Sequence, residues 1–135
     1  MPGLVSALQA TTARRALVLN LADEPGETAG FSAERHVHVL AQHAPDITVD
    51  DIIVDEARVP GQRERDQLRR TAGLLQADVV FADVSRPGTP LHDPAKLASA
   101  LQGVLARGEA VAPPAATAPL AADGIRRERG DDTWR

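Results

Sequence analysis

Residues 16–30 of the chain read ALVLNLADEPGETAG, and this stretch decides the fold class. The apolar run Ala16–Leu21 predicts a buried strand, and the polar loop Asn20–Gly30, with two glycines and a proline, leads into a helix. A strand, a polar loop and a helix in this order form the first half of a βαβ unit. In open parallel sheets, ligands bind beyond the carboxyl ends of the strands. The loop therefore lies where an α/β protein would bind a phosphate or a polar substrate.

The same loop also has a plainer interpretation as a connection between two elements. Pro-Gly is a common pair in turns of every function. The spacing of the loop fits neither the Walker sequence nor the GxGxxG fingerprint, so the pattern by itself identifies no class of nucleotide.

The rest of the chain continues the alternation of strands and helices. The patterns predict a helix at Pro2–Ala10 before the first strand and, after the loop, a helix from an N-cap at Ser32 to His43. A strand at 49–55, a helix at 62–76 and a strand at 78–84 follow. The last predicted helix runs from Pro94 to Gly108 and is capped by Asp93. This order predicts an α/β fold with a Rossmann-like parallel sheet and right-handed crossovers. Three strands make a small sheet, so we expect an incomplete version of a larger fold.

Helical spacing predicts which side chains face the core. Each helix carries apolar residues at intervals of three and four: Val37, Leu40, Ala41 and Ala44 in the second, Leu68, Ala72 and Leu75 in the third, and Leu97, Leu101, Val104 and Leu105 in the last. In the third helix, Asp66 and Arg70 are spaced for an outward i,i+4 pair.

Composition excludes several classes of function. The formal net charge of -4 argues against non-specific nucleic-acid binding. No cysteine is present, which excludes disulfides and thiolate chemistry in this chain. The amino end lacks the pattern of a signal peptide, and no apolar run approaches the length of a membrane span. We expect one domain at residues 1–108 and, because Ala-Pro repeats and mixed charge follow, a disordered tail at 109–135.

Several polar side chains are predicted to meet at the carboxyl edge of the sheet. Asp83 ends the third strand there and would suit a ribose or a metal ion, while Glu24 and Glu27 can serve as acid or base. His92 and Asp93 lie at the start of the last helix on the same edge. Asp93 has a sufficient role as a cap, whereas His92 either binds a ligand or is simply exposed. No lysine or arginine is expected at this edge.

A longer comparison of motifs adds a family resemblance. The strings Asn20-Leu21, EPGETAGFS at 24–32, Asp51-Ile52-Ile53, Ala82-Asp83 and LHDPAKL at 91–97 resemble the YvcK family, called CuvA in actinobacteria. Its members are gluconeogenesis factors and are relatives of the CofD 2-phospho-L-lactate transferases. The resemblance covers Pro2 to about Arg107. Two positions depart from it: Leu91 and Pro94 stand where many relatives would have arginine and threonine.

The resemblance implies a cytoplasmic regulatory protein that binds a UDP-sugar, UDP-N-acetylglucosamine first of all. It also implies a role in central carbon use, cell-wall synthesis and cell shape, and it allows a homo-oligomer. No enzymatic activity, cofactor, metal, nucleic acid or membrane insertion is implied. The candidate ligand-binding residues are Asn20, Glu24, Gly26, Glu27, Thr28, Gly30, Asp83, His92 and Asp93.

Two alternatives stay open. One is that the chain is a phosphoryl-group transferase of the CofD type, which transfers a lactyl-phosphate group onto a deazaflavin. The other is that the chain is an inactive fragment. Family members are roughly twice as long or more and begin with a strand and a glycine-rich phosphate loop. This chain looks like their carboxyl-terminal part, with the amino-terminal half of the family fold missing.

Overall fold

The structure is a computed structural model that describes residues 2–22 and 31–111. Its elements are α1 (Pro2–Ala10), β1 (Ala16–Val18), α2 (Phe31–His43), β2 (Asp51–Asp55), α3 (Gln62–Ala72), β3 (Asp78–Ala82) and α4 (Pro94–Val111). Short 3-10 helices follow β2 at Glu56–Arg58 and α3 at Gly73–Leu75. The predicted α/β fold is confirmed.

The sheet is parallel, with the strand order β1-β2-β3. Ile53 of β2 pairs with Val18 on one side and Val80 on the other. All five residues of β2 are buried, because this strand is covered by a neighbour on each edge and by helices on each face. An unbroken apolar run such as Ile52–Val54 is what a strand in that position requires.

Alternate side chains of β2 enter two separate cores. Ile52 and Val54 pack with Val37 of α2 and Leu68 of α3, so both crossover helices cover the same face of the sheet. Ile53 packs on the opposite face with Val104 of α4. The sheet therefore lies between α2 and α3 on one side and α4 on the other, as expected for strands buried on both faces.

The predicted inward faces of the second and third helices are confirmed. Val37, Leu68, Ala72 and Leu75 are fully buried, and Leu40, Ala41 and Ala44 pack against the same core. The predicted i,i+4 pair is wrong, because Asp66 accepts from Arg69 at 2.9 Å and Arg70 donates to Gln67.

Three predicted boundaries of β2, α3 and β3 are wrong. β2 begins at Asp51 and not at 49, α3 ends at Ala72 and not at 76, and β3 ends at Ala82 and not at 84.

Two boundaries around the loop that follows β1 are also wrong. β1 ends at Val18 and not at Leu21, although the Leu19 amide still donates to the Ile53 carbonyl at 3.0 Å. Because α2 begins at Phe31, Ser32 lies within the helix and is not its N-cap. Assigned helix ends commonly differ by one or two residues.

The end and the face of α4 also differ from the prediction. The helix runs through Gly108 to Val111. A Cβ at Gly108 would lie 2.8 Å from Cδ of Arg14, so this glycine permits a close approach and does not end the helix. Leu105 is 57% exposed, because the buried stripe is completed by Ala100 in its place. Over the described part of the chain, no helix combines the length and apolar character needed to cross a membrane.

Candidate functional site

The carboxyl ends of the three strands form one edge of the sheet. Asp55 ends β2 and pairs in register with Ala82, which ends β3, so Asp83 follows immediately beside it. Asn20 lies just beyond β1. In a parallel sheet this edge is the usual position for a ligand, because the loops to the next helices leave from it.

The segment from β3 to α4 folds back on itself. The Thr89 amide donates to the Arg86 carbonyl at 3.1 Å, and Gly88 has a φ of 69°, which fits a type II turn with Pro87 before it. Above the turn, Ser85 and His92 form an antiparallel bridge. This closed loop brings His92 back to the end of β3.

Asp93 caps α4 as predicted. Its Oδ1 accepts hydrogen bonds from the amides of Ala95 at 2.9 Å and Lys96 at 3.2 Å. The Asp93 amide donates to the Val84 carbonyl at 2.8 Å, so the cap is also fastened to the segment that leaves β3. This carboxylate satisfies two of the free amides at the helix start.

Lys96 lies at the same edge, which corrects the prediction that no basic group is present there. Its Nζ lies 2.6 Å from Oδ2 of Asp83 and donates to the Ser85 carbonyl at 3.1 Å. The hydrogen bond to Asp83 raises the pKa of Lys96 above its ordinary value, with the charges of Asp83, Asp93 and Asp55 acting in the same direction and desolvation opposing them. The spacing of Lys96 three residues after the cap could have revealed it.

Asp55 is the functional candidate that the sequence analysis missed. The residue is 2% exposed, and its Oδ1 accepts from the Val84 amide at 3.1 Å. Its buried Oδ2 has no hydrogen-bond partner among the described residues, and the same holds for Nε2 of His92. The signal for Asp55 is an acidic residue that ends an otherwise apolar run, as in Ile52-Ile53-Val54-Asp55.

A cleft of about 380 Å³ opens beside these groups. It lies between the connection that follows β2 and the loop that follows β3, and its described lining is Asp55, Ala57, Arg58, Ser85, Gly88, Thr89 and Pro90. The lining combines a carboxylate, a guanidinium and two hydroxyls, which together can donate to and accept from a polar ligand.

The other predicted ligand-binding residues have different outcomes. Asn20 is exposed at the edge, with its Oδ1 accepting from the Leu21 amide at 2.9 Å. His92 is half-buried, and Asp83 is exposed and paired with Lys96. Glu24, Gly26, Glu27, Thr28 and Gly30 lie outside the described residues. No group of three histidine or acidic side chains within 2–22 and 31–111 is placed to hold a metal ion.

Comparison of the sequence with known proteins identifies the family of this chain. A model described as "2-phospho-L-lactate transferase CofD" matches residues 1–92. The chain is 68% identical over 137 positions to a "Putative gluconeogenesis factor" of Mycobacterium tuberculosis (strain CDC 1551 / Oshkosh), and the match covers all of this chain and 40% of that relative. A protein of the same name from Mycobacterium leprae (strain TN) is 62% identical, again over the whole chain and 41% of the relative.

A more distant relative extends the match beyond mycobacteria. A "Putative gluconeogenesis factor" of Deinococcus radiodurans is 31% identical over 110 positions, which cover 75% of this chain and 23% of that protein. No solved structure matches the chain. The chain spans about two fifths of the length of its mycobacterial relatives, and its placement at their carboxyl-terminal end stays a prediction. With two thirds of its residues matched by the family model, the chain belongs to the CofD family.

Proposed function

We propose that this chain is part of a gluconeogenesis factor that binds a UDP-sugar, with UDP-N-acetylglucosamine as the first candidate. The proposal takes its ligand class from the family resemblance and its role from the names of the relatives. The observation that carries it in this chain is the polar cleft at the carboxyl edge of the sheet, where Asp55, Ser85 and Thr89 converge.

The size and lining of the cleft agree with such a ligand. Sites for small molecules commonly have volumes of about 300–1,000 Å³ and a few polar groups that fix orientation. Here the volume is about 380 Å³, and hydroxyl, carboxylate and guanidinium groups line it. A cleft of this kind accommodates one part of a sugar nucleotide, and the rest of the ligand would extend along the edge toward Asn20.

The proposal includes a cellular setting. We place the protein in the cytoplasm, in the regulation of central carbon use, cell-wall synthesis and cell shape, and we allow self-association. The name of the relatives, gluconeogenesis factor, supports only the link to carbon use, and the other elements follow the family resemblance.

We also propose binding in preference to catalysis. Phosphoryl transfer depends on cationic groups that neutralise the transferred phosphoryl group. Lys96 is held by Asp83 at 2.6 Å and by the Ser85 carbonyl at 3.1 Å, so its charge is already compensated within the protein. A ligand phosphate would have to displace Asp83 before it could use this ammonium group.

A CofD-type transferase is the second candidate, and one feature of the edge favours it. Lys96 is a cation in the first turn of α4, where its ammonium group could contact a phosphoryl group bound at the edge of the sheet. The family model that matches residues 1–92 is named for the same activity. In this alternative, ligand binding would draw Lys96 away from Asp83 toward the phosphate.

Titration calorimetry on a family-length chimera tests the binding function. In this chimera, residues 1–135 replace the matching 40% of the Mycobacterium tuberculosis relative, to which they are 68% identical. We expect UDP-N-acetylglucosamine to bind, and Asn20→Ala or Thr28→Ala to weaken it by about 1–3 kcal/mol through loss of a buried polar contact. Gln9→Ala, whose amide bonds Asp46 at the other end of the molecule, is the control. Unchanged affinity in both variants would remove these residues from the site.

A transfer assay separates the two candidate functions. We expect the chimera, supplied with magnesium, a lactyl-phosphate donor and a deazaflavin acceptor, to form no coupled product. Product formation well above an enzyme-free control would establish the transferase in place of the binder.

The isolated chain tests the fragment alternative. Both outer strands, β1 and β3, have only one neighbour within the described sheet, and unpaired strand edges favour association. We expect residues 1–135 alone to be poorly soluble or to form a dynamic oligomer without measurable binding. A cooperative melt raised by UDP-N-acetylglucosamine would show instead that the piece folds and binds without further sequence.

A further inference from the structure

We infer that Asp55 is the hydroxyl-binding residue of the cleft: its free carboxylate oxygen accepts a hydrogen bond from a sugar hydroxyl of the ligand, with His92 as the neighbouring polar contact. This inference rests on the proposed function and deepens it, because it says which chemical part of the ligand the cleft takes. It starts from two buried polar atoms without partners among the described residues, Oδ2 of Asp55 and Nε2 of His92.

The carboxylate of Asp55 is held in place by one hydrogen bond, and its other oxygen is buried without a partner among the described residues. Oδ1 accepts from the Val84 amide at 3.1 Å, and the residue as a whole is 2% exposed. A buried acceptor that makes no hydrogen bond is uncommon in proteins and needs an explanation. Since Asp55 is also part of the lining of the cleft, a ligand that donates a hydrogen bond supplies one.

His92 is not among the described residues that line the cleft, but it is bridged to Ser85, which does line it. Val84, whose amide is bound by Asp55, accepts through its carbonyl from the Asp93 amide at 2.8 Å. Ser85, the next residue, bridges to His92. Asp55 and His92 are therefore fastened to adjacent residues at the end of β3. Such pre-organisation lowers the cost of binding.

The charges at this edge decide between a phosphate and a hydroxyl as the bound group. The charges of Asp83, Asp93 and Asp55 all raise the pKa of Lys96, but only Asp83 contacts its ammonium group, at 2.6 Å. Arg58 also lines the cleft, so a phosphate and a hydroxyl are distinguished only at the Asp55 carboxylate. A phosphate placed against the free oxygen of Asp55 would meet a like charge, whereas a hydroxyl would donate its proton to it. An imidazole nitrogen can donate to or accept from a second hydroxyl. The Asp55 side of the cleft therefore takes a hydroxyl of the sugar part of a ligand and leaves the phosphates to groups away from this carboxylate.

The decisive experiment measures affinity and stability for Asp55→Asn in the family-length chimera. Asparagine keeps an acceptor for the Val84 amide and replaces the free oxygen by an NH₂ group, which can no longer accept. We expect affinity for UDP-N-acetylglucosamine to fall about 10- to 100-fold. The unfolding midpoint of the unliganded protein should stay equal or rise, since a buried unpaired charge is removed. His92→Gln is the second variant, with an expected loss of about tenfold.

Asp51→Asn is the matched control, because Asp51 starts the same strand and both of its carboxylate oxygens accept hydrogen bonds, from Arg14 and Arg107. We expect it to lower the unfolding midpoint and to leave the affinity of the folded protein unchanged. Titration with UDP alone distinguishes the two sources of hydroxyls. An equal loss for UDP and UDP-N-acetylglucosamine identifies a ribose hydroxyl, and a loss for the sugar nucleotide alone identifies the hexose.

Two results would overturn the inference. One is unchanged affinity of Asp55→Asn in a chimera that binds the ligand. The other is a clear fall in the unliganded midpoint, which would make Asp55 a structural residue. If the unsubstituted chimera binds no UDP-sugar, the proposed function fails, and the midpoint alone then decides whether Asp55 is kept at a cost to stability.

Discussion

Strand β2 begins and ends with an aspartate, and the two residues have opposite surroundings. Asp51 and Asp55 are four positions apart, roughly 13 Å, and so share one face of the sheet. Asp51 is fully buried and accepts from Nε of Arg14 at 2.7 Å and from Nη2 of Arg107 at 2.6 Å. Asp55 is nearly as buried but accepts only from one backbone amide among the described residues. At the amino end of the strand, side chains of the protein satisfy both carboxylate oxygens. At the carboxyl end, one carboxylate oxygen has no partner among the described residues and can accept a hydrogen bond from a ligand.

The direction of α4 explains why the arginines reach only one end. A helix after a parallel strand starts at the carboxyl edge and runs back across the sheet. α4 has 18 residues and is therefore roughly 27 Å long, enough to carry Arg107 to the amino edge, where Asp51 lies. Its first turn instead brings a capping aspartate and Lys96 to the carboxyl edge. The same helix thus supplies Arg107 to the amino end of β2 and Lys96 to the carboxyl edge of the sheet.

Asp51→Ala should have the largest effect on stability. It removes a buried carboxylate, opens a cavity and leaves two arginines without their common partner, so we expect a loss of about 2–4 kcal/mol in the free energy of unfolding. The estimate lies below the full cost of a broken buried pair, since the side chains of Arg14 and Arg107 are 25% and 50% exposed and can turn toward water. Urea unfolding of the chimera measures the loss.

Asp83→Ala serves as the control for that measurement. Asp83 lies at the opposite edge in an ion pair whose carboxylate is 54% exposed, so its removal should change the unfolding free energy far less. Equal losses for Asp51→Ala and Asp83→Ala would mean that the amino end of β2 contributes nothing special to stability.

The two arginines that hold Asp51 should differ in importance. Arg107→Met should cost about 0.2–1 kcal/mol, because its side chain is half exposed and its partner keeps Arg14. Arg14→Met should cost more, since Arg14 is the more buried and the Asp51 hydrogen bond raises the pKa of its guanidinium. Thermal unfolding of the two variants in parallel gives the order.

Gly108 offers a second way to disturb the same contact. An added methyl group there would press on the Arg14 side chain at 2.8 Å, so Gly108→Ala should displace that arginine and resemble Arg14→Met. Gly103, with open space around its Cα, is the matched control and should gain stability from alanine in mid-helix. A stabilised Gly108→Ala variant would show that Arg14 yields freely.

The sequence predicted the parts of this comparison that depend on local pattern. Alternating apolar runs and helical spacing identified the α/β order, and Leu68, Ala72 and Leu75 are buried as their periodicity required. Asp93 followed by Pro94 correctly identified the start of α4. These features are fixed by residues within a few positions of one another, so a single sequence contains all the information that they need.

The contacts that distinguish the two ends of β2 could not be predicted in this way. Asp51 meets residues 37 and 56 positions away, and Asp55 meets Val84 at a distance of 29 positions. Such pairs depend on strand register and helix length together, which local patterns leave open. The pair of Lys96 and Asp83 was easier to predict. The two residues are only 13 positions apart, and the predicted helix cap and strand end already located both of them. The predicted residues at 23–30 lie outside the described structure, and their role stays a prediction.

The smallest expected effect concerns Lys96 and is visible through pH. Asp83 raises the pKa of Lys96 in the folded protein, so the ion pair contributes its full stability below the ordinary lysine pKa of about 10.4 and loses it as pH rises through the higher folded value. We therefore expect Lys96→Met to lower the unfolding midpoint slightly at about pH 8. The difference from the unsubstituted chain should shrink as pH rises through the raised pKa of Lys96.

Lys96 is the only lysine of the chain, which contains no tyrosine or cysteine that would titrate in the same range. If the chain associates, as expected for its unpaired strand edges, the same difference is measured in the chimera, where common titrations cancel between the two proteins. Asp83→Asn should reproduce the pH profile of Lys96→Met, since both variants remove the same pair. A difference that persists unchanged at high pH would show that Lys96 acts through the packing of its methylene chain. The ammonium group at the carboxyl end of the sheet would then be available to a ligand phosphate, and the preference for binding over phosphoryl transfer would lose its support.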